Sequence, residues 1–257
     1  MVGIRTFRLT RVEDVSDSNF APVVAAWRER RSSEGSHVGL HELYAMVAQP
    51  RGLTLTELPL EDRESLTELA QAVFWPGYQR VTETRPSEPV DVVPYDDEWP
   101  LRFDTYATTL RSHLGSQPYR IDHIGSTSVP GLAAKPIIDI LLCVTNLEDE
   151  ASYVPAAERS GFELVTRDDA HRFFQVPWPA PRDAQLHVCR LGDPFDTEHL
   201  LFRDYLRHHP DVRDAYAELK RTAAVAWRDD RVGYTYAKNS FILNVIEQAA
   251  NETEATA

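Results

Sequence analysis

The stretch that most constrains this chain is KPIIDILLCV, residues 135–144. From Ile137 onward every position but one is apolar, so an extended segment here needs cover on both faces. It reads as a strand in the middle of a sheet, with a single aspartate, Asp139, inside it. The surrounding sequence supplies partners. YRIDHIGSTSV (119–129) is predicted as a strand running into a Gly-Ser turn. FELV and HRFFQV suggest a hairpin, and AQLHVCRL (184–191) is a further strand. Between the central strand and the hairpin, EDEASYVPAAERSG reads as a helix closed by Gly161.

Helices account for most of the remainder. NFAPVVAAWRERR, GLHELYAMVAQ and EDRESLTELAQAVF place apolar residues at helical spacing, so residues 1–81 are expected to be a helical N-terminal extension. No catalytic motif lies there, and a cap or docking module is the plain reading. Residues 82–94 carry three prolines and read as a linker. Residues 95–250 form the main domain. It opens with the amphipathic helix DDEWPLRFDTYATTLRSHLG, continues through the strands, and closes with TEHLLFRDYLRHHP, DVRDAYAELKRTAAVAWR and YTYAKNSFILNVIEQAA as helices. The final ETEATA is expected to be disordered. The predicted class is α+β: a mixed sheet with a helical C-terminal subdomain and a helical N-terminal extension.

Charge narrows the function classes. A net charge of −13 argues against general nucleic-acid binding, which needs a basic face to displace counterions. It leaves room for a small anionic ligand, because a local basic cluster can dominate one pocket. Of 27 basic residues only three are lysines, Lys135, Lys220 and Lys238. Where arginine serves nearly everywhere else, these three mark places that suit a compact ammonium. No run approaches the roughly 20 apolar residues of a membrane span, and the N-terminus shows no secretory pattern. A cytoplasmic location is expected, with Cys143 and Cys189 as buried thiols.

Gly125-Ser126 ends the first core strand. Glycine lets backbone approach a phosphate closely, and serine adds a hydroxyl and an N–H. Asp139 follows on the next strand. This order resembles the polymerase-beta-type nucleotidyltransferase fold, in which a Gly-Ser motif holds a triphosphate and the next strand carries an Asp-x-Asp pair. VVPYDDEWPLRF, HIGSTSVPGLAAKPIIDILL, LHVCR, LLFRDYLRHHP, AYAELK and YTYAKNSFI sharpen the likeness. In that order they resemble the GrpB family, a branch of that superfamily also found fused to dephospho-CoA kinase. The resemblance covers about residues 90–248 and leaves the N-terminal ~80 residues outside it.

The resemblance implies a nucleoside triphosphate or other phosphorylated small molecule as ligand, a divalent metal such as Mg²⁺ or Mn²⁺, and transfer of a nucleotidyl or adenylate-activated group to a small acceptor. Gly125, Ser126, Thr127 and Ser128 would cradle phosphate. Lys135, Arg203, Tyr234 and Lys238 are further candidates for phosphate or base contact. One departure is plain: Asp139 falls where the superfamily's second aspartate stands, and Ile137 takes the place of the first. One carboxylate is too few for a two-Mg²⁺ site.

His187 sits about where a third acid would be, and His123 precedes the Gly-Ser pair. If His123, Asp139 and His187 share a face, they form a catalytic or metal-holding set better suited to Mn²⁺, Fe²⁺ or Zn²⁺. Alternatively His187 is a general base held by Asp139, or the histidines are structural. The other class of function is a degenerate fold acting as a ligand-binding or chaperone-like accessory module. A third reading has the helical N-terminal segment shaping the acceptor site of a small-molecule enzyme.

Overall fold

The structure is a computed structural model and describes residues 19–34, 38–74, 77–82, 88–116 and 119–256. Six strands form one mixed sheet: β1 (Gln79–Arg80), β2 (Tyr119–Ile124), β3 (Ile138–Val144), β4 (Glu163–Arg167), β5 (His171–Gln175) and β6 (Ala184–Arg190), in the order β1-β4-β5-β6-β3-β2. The apolar run of the sequence is β3, which has neighbours on both sides. It pairs antiparallel with β2 and parallel with β6. The α+β class is as the sequence indicated.

The two faces of the sheet are unlike. Ile138, Ile140, Leu142 and Val144 of β3 join Leu186, Val188 and Phe174 in one apolar cluster. Helices α4 (Glu98–His113) and α5 (Val154–Arg159) close that face through Trp99, Leu110 and Ala157. The opposite face holds only a small cluster, Ile124, Leu141, Cys143 and Cys189, beneath Phe195 and Leu200 of α6 (Pro194–His208). Cys143 and Cys189 are both buried free thiols. Beyond that cluster this face opens into a cavity.

Helices α7 (Pro210–Ala226), α8 (Arg231–Tyr236) and α9 (Asn239–Thr256) complete the C-terminal part. The expected single helix YTYAKNSFILNVIEQAA is two helices, and the break at Ala237-Lys238 puts Tyr234 and Lys238 on different segments. The C-terminal ETEATA, expected to be disordered, instead continues α9 through Thr256.

Helices α1 (Ala21–Glu34), α2 (Leu40–Ala48) and α3 (Leu60–Phe74) pack against α7 and α8 through a second apolar cluster that includes Trp27, Leu43, Leu66 and Trp227. A buried ion pair, Arg63 to Asp230 at 2.9 Å, lies in this contact. Asp230 also caps α8 by accepting from the Gly233 N–H at 2.7 Å. His41 stacks on Trp227 at 4.6 Å. Removing one partner of a buried ion pair is strongly destabilising, so Arg63 ties the extension to the start of α8. Residues 88–94, read as a linker, are held at two points. Val90 donates to the Arg228 carbonyl at 2.9 Å, and Val93 pairs with Ala134. Residues 83–87 lie outside the described residues.

Candidate functional site

The cavity has a volume of about 840 Å³ and lies on the less covered face of the sheet. Its chemistry starts at the β2–β3 turn. Gly125 has φ 69°, the left-handed region that glycine enters without strain. A Cβ there would lie 2.3 Å from Oδ2 of Asp139. The turn and the aspartate are therefore in van der Waals contact, and only a residue without a side chain fits between them. Ser126 and Thr127 line the cavity beside it. Ser128 does not: its hydroxyl donates to the Gly125 carbonyl at 2.6 Å and closes the turn from behind.

Register decides which of the expected acid-base residues meet. Asp139 stands opposite Ile124 on β2 and Gln185 on β6, and His187 stands opposite Leu141. Since side chains alternate along a strand, Asp139 and His187 share the cavity face, with His187 Nε2 3.8 Å from Asp139 Oδ1. His123 pairs with Ile140 and so points to the other face. There its ring stacks on Phe103 at 4.7 Å with 4° between planes, and its Nε2 lies 3.0 Å from the Thr127 hydroxyl. Burial pushes it down to about 4, so it is a neutral ring at pH 7. The His123/Asp139/His187 set is thus not assembled.

A different histidine joins His187. His171 Nε2 lies 3.1 Å from His187 Nδ1, so one of these nitrogens carries the proton and the other accepts it. His171 stacks on Phe195 at 4.5 Å, and His199 stacks on the same ring at 4.0 Å. Burial first, and then the neighbouring His187, holds both His171 and His199 well below the ordinary imidazole range. Among the described residues, no group of three or more His, Cys, Asp and Glu side chains could hold a metal ion. The donor set does not fit a transition-metal centre held by protein alone. It does fit Mg²⁺ arriving on phosphate, which needs only one or two carboxylates from the protein, and Asp139 is placed to be one.

All three lysines converge on this cavity. Lys135 and Lys238 hold their ammonium groups over the Tyr234 ring, at 5.1 and 4.2 Å. Lys220 is buried, donates to the Ala133 carbonyl and lies 4.7 Å from the Tyr216 ring centroid. None has a carboxylate partner within ion-pair distance among the described residues. Burial, reinforced at Lys135 and Lys220 by other cations, pushes Lys135 to about 7, Lys220 to about 6 and Lys238 to about 8.

Of the other candidates, Tyr234 lines the cavity as a platform for the two lysines, whereas Arg203 does not line it. It donates to the His123 carbonyl at 3.1 Å and pairs with Asp204 at 2.7 Å, steadying the strand that leads into the turn. Arg207 donates to the Ser128 carbonyl at 2.7 Å and steadies the turn itself. Sequence reasoning did not single out His171, His199, Tyr216 or Arg231. For Lys220 a signal existed: the scarcity of lysine marked it together with Lys135 and Lys238.

Comparison with known proteins matches this frame. A UPF0157 protein of Halalkalibacterium halodurans is 42% identical over 164 residues, covering 62% of this chain and 82% of its own. A dephospho-CoA kinase of Mycolicibacterium paratuberculosis is 28% identical, and the match spans 48% of that longer protein. The crystal structure of the conserved protein GrpB from Enterococcus faecalis superposes with a TM-score of 0.57 at 31% identity. It covers 63% of this chain and 99% of its own. The GrpB protein family profile matches residues 89–248, which hold the whole sheet except β1 and all of the lysine cluster, and the chain belongs to the GrpB family.

Proposed function

We propose that the cavity binds a nucleoside triphosphate, or a metabolite of similar phosphate charge, and that the chain transfers a nucleotidyl group from it to a small acceptor. The carrying observation is the gathering of Lys135, Lys220 and Lys238 in the cavity of the Gly125-Ser126 turn, with no carboxylate within ion-pair distance of them among the described residues. Burial and mutual repulsion push these lysines toward their neutral forms in the empty protein, so an anion that restores their charge is bound favourably. A polyphosphate supplies the missing negative charge. Asp139, touching the turn, is the residue that would hold a Mg²⁺ carried on the phosphates, and that ion would neutralise charge on the transferring group.

The residues then divide the work. The Gly125-Ser126 backbone receives phosphate, and the lysines neutralise the departing pyrophosphate. His187, held at Nδ1 by His171, takes the acceptor's proton at Nε2 as the acceptor oxygen bonds to the α-phosphorus. The bond from that phosphorus to the bridging oxygen breaks, and pyrophosphate leaves with the electron pair.

A specific observation favours a second reading. Ile137 lines the cavity where the superfamily places an acid, which fits a fold that keeps ligand binding and has lost transfer. Calorimetric titration of the four nucleoside triphosphates with Mg²⁺ or Mn²⁺ separates these readings. Transfer predicts micromolar binding, pyrophosphate release with an acceptor, and turnover abolished by Asp139→Asn. Lys238→Ala weakens binding at least tenfold, about 1.4 kcal/mol. Binding without any pyrophosphate release favours the binding module. No binding of any triphosphate or phosphorylated metabolite rejects both.

A further inference from the structure

The cavity has a second end. Arg31, Gln71, Phe74, Tyr78 and Arg80 line it from the N-terminal extension, outside the family match at 89–248. Nearly all of Enterococcus faecalis GrpB is accounted for by 63% of this chain, so this end is an addition to that framework. The addition is built into the fold. Strand β1 extends the sheet by pairing Arg80 with Thr166 of β4, and Val81 donates to the Val165 carbonyl at 2.7 Å. Phe74 of α3 stacks on Tyr236 of α8 at 5.3 Å.

The charge here is carried by guanidinium groups rather than ammonium groups, with Arg231 near enough to Lys135 to lower its pKa. Arg231, at the start of α8, lines the cavity and makes no hydrogen bond or ion pair through its side chain among the described residues. Among the described residues Arg80 donates to the amide oxygen of Gln71, at 3.3 Å, and Tyr78 donates to the same oxygen at 2.8 Å. The Gln71 amide nitrogen is left as a third donor. Burial, and then Arg182 and Arg80, hold Arg231 down at about 10, against a smaller opposing pull from Glu88 and Asp230, neither of which is within ion-pair distance of its side chain.

Guanidinium forks match planar oxyanions in two-point contact, whereas ammonium groups act as point charges. The walls beside these arginines are aromatic, a surface that a bare polyphosphate does not use. We infer that this end is a second oxyanion subsite, made by Arg80 and Arg231 with Gln71, that takes the carboxylate of a small acceptor with an apolar body. The inference rests on the nucleotide reading for the word acceptor, and its chemistry is tested separately.

The shared chemistry is an oxyanion, and its two sources are the acceptor and the nucleotide's own terminal phosphate. Saturation-transfer NMR with acetate, succinate and benzoate on the full chain, empty and with Mg²⁺-ATP, reads millimolar carboxylate binding. At least one carboxylate is expected to bind, benzoate best, with the signal lost in Arg80→Gln and Arg231→Gln. The Kd for ATP should stay within twofold in both variants, while Lys238→Ala raises it tenfold or more. Melting curves establish that each variant is folded. Gln71→Ala, which leaves both arginines in place, should weaken benzoate several-fold.

Two results overturn the subsite: no saturation transfer from any of the three carboxylates, or a tenfold loss of ATP affinity in Arg80→Gln, which would assign the arginines to the terminal phosphate. Arginine-dependent carboxylate binding by a chain that binds no nucleotide supports the subsite and removes the nucleotide reading.

Discussion

His123 and His187 are both strand histidines one strand away from the central run, yet they end in opposite environments. His123 faces the closed side of the sheet, stacked on Phe103. His187 faces the cavity, between Asp139 and His171. The same contrast runs through the sheet. Ile138, Ile140, Leu186, Val188 and Phe174 point to the helices α4 and α5, while Asp139, Gln185, His187, Phe173 and His171 point into the cavity. One side is close-packed and contributes stability. The other gathers three lysines and an acid in a partly open cavity, an arrangement unfavourable for the empty protein that the proposed anionic ligand would relieve.

The largest effects should separate the two sides. His187→Asn is expected to leave the melting temperature nearly unchanged and to lower turnover about 10²–10⁴-fold, the usual contribution of a general base. Phe174→Ala, one residue from the cavity-lining Phe173 and Gln175 of β5, should do the reverse. It should lose about 3–5 kcal/mol of stability through a core cavity, with ligand affinity retained in the folded fraction. A large turnover defect in Phe174→Ala with intact stability would erase the contrast.

Gly125→Ala tests the contact between turn and acid. The new methyl meets Asp139 Oδ2 at 2.3 Å and must adopt a positive φ, so a loss of about 1–3 kcal/mol is expected. Nucleotide affinity should fall in parallel. Chemical denaturation with calorimetry on the same variant checks both, and unaltered affinity would detach the turn from the ligand.

The pH dependence is a gentler test. The lysines of the unfolded chain stay protonated up to about 10.5, whereas in the folded protein Lys220, Lys135 and Lys238 release protons near 6, 7 and 8. The unfolded state therefore binds more protons across that window, and stability must rise with pH. His123 and His199, both near 4 in the folded protein against 6.5, act with the same sign at lower pH. The melting temperature of the empty protein should climb from pH 7 to pH 9 and fall as acid is added below pH 6.5. Bound triphosphate should take up protons at pH 8, measurable by calorimetry in buffers of different ionisation heat. A melting temperature that falls between pH 7 and 9 would mean the lysines are already paired. The smallest effect belongs to His123→Phe. It keeps the stack on Phe103 and loses one hydrogen bond to Thr127, about 1 kcal/mol, with turnover unchanged.

What the sequence determined by itself was local. A continuous apolar run made β3 central, the Gly-Ser pair marked the turn, and the motif order identified the family portion. The rarity of lysine flagged three positions that do meet, because in an arginine-rich chain a retained ammonium has a reason. Only the tertiary structure decided the faces. His123 and His187 carry no local mark that distinguishes them, since a shift of one residue in strand register exchanges core and cavity. The pairing of His123 with Ile140 and His187 with Leu141 sets that register.

The same reason hides His171 and Arg80. Their partners lie on other strands and helices, and contact between distant segments leaves no periodicity to read. The N-terminal extension looked like a cap from its sequence. Packed against α8 and added to the sheet edge, it becomes a wall of the site, because a helix that buries its apolar face also fixes what its polar residues confront.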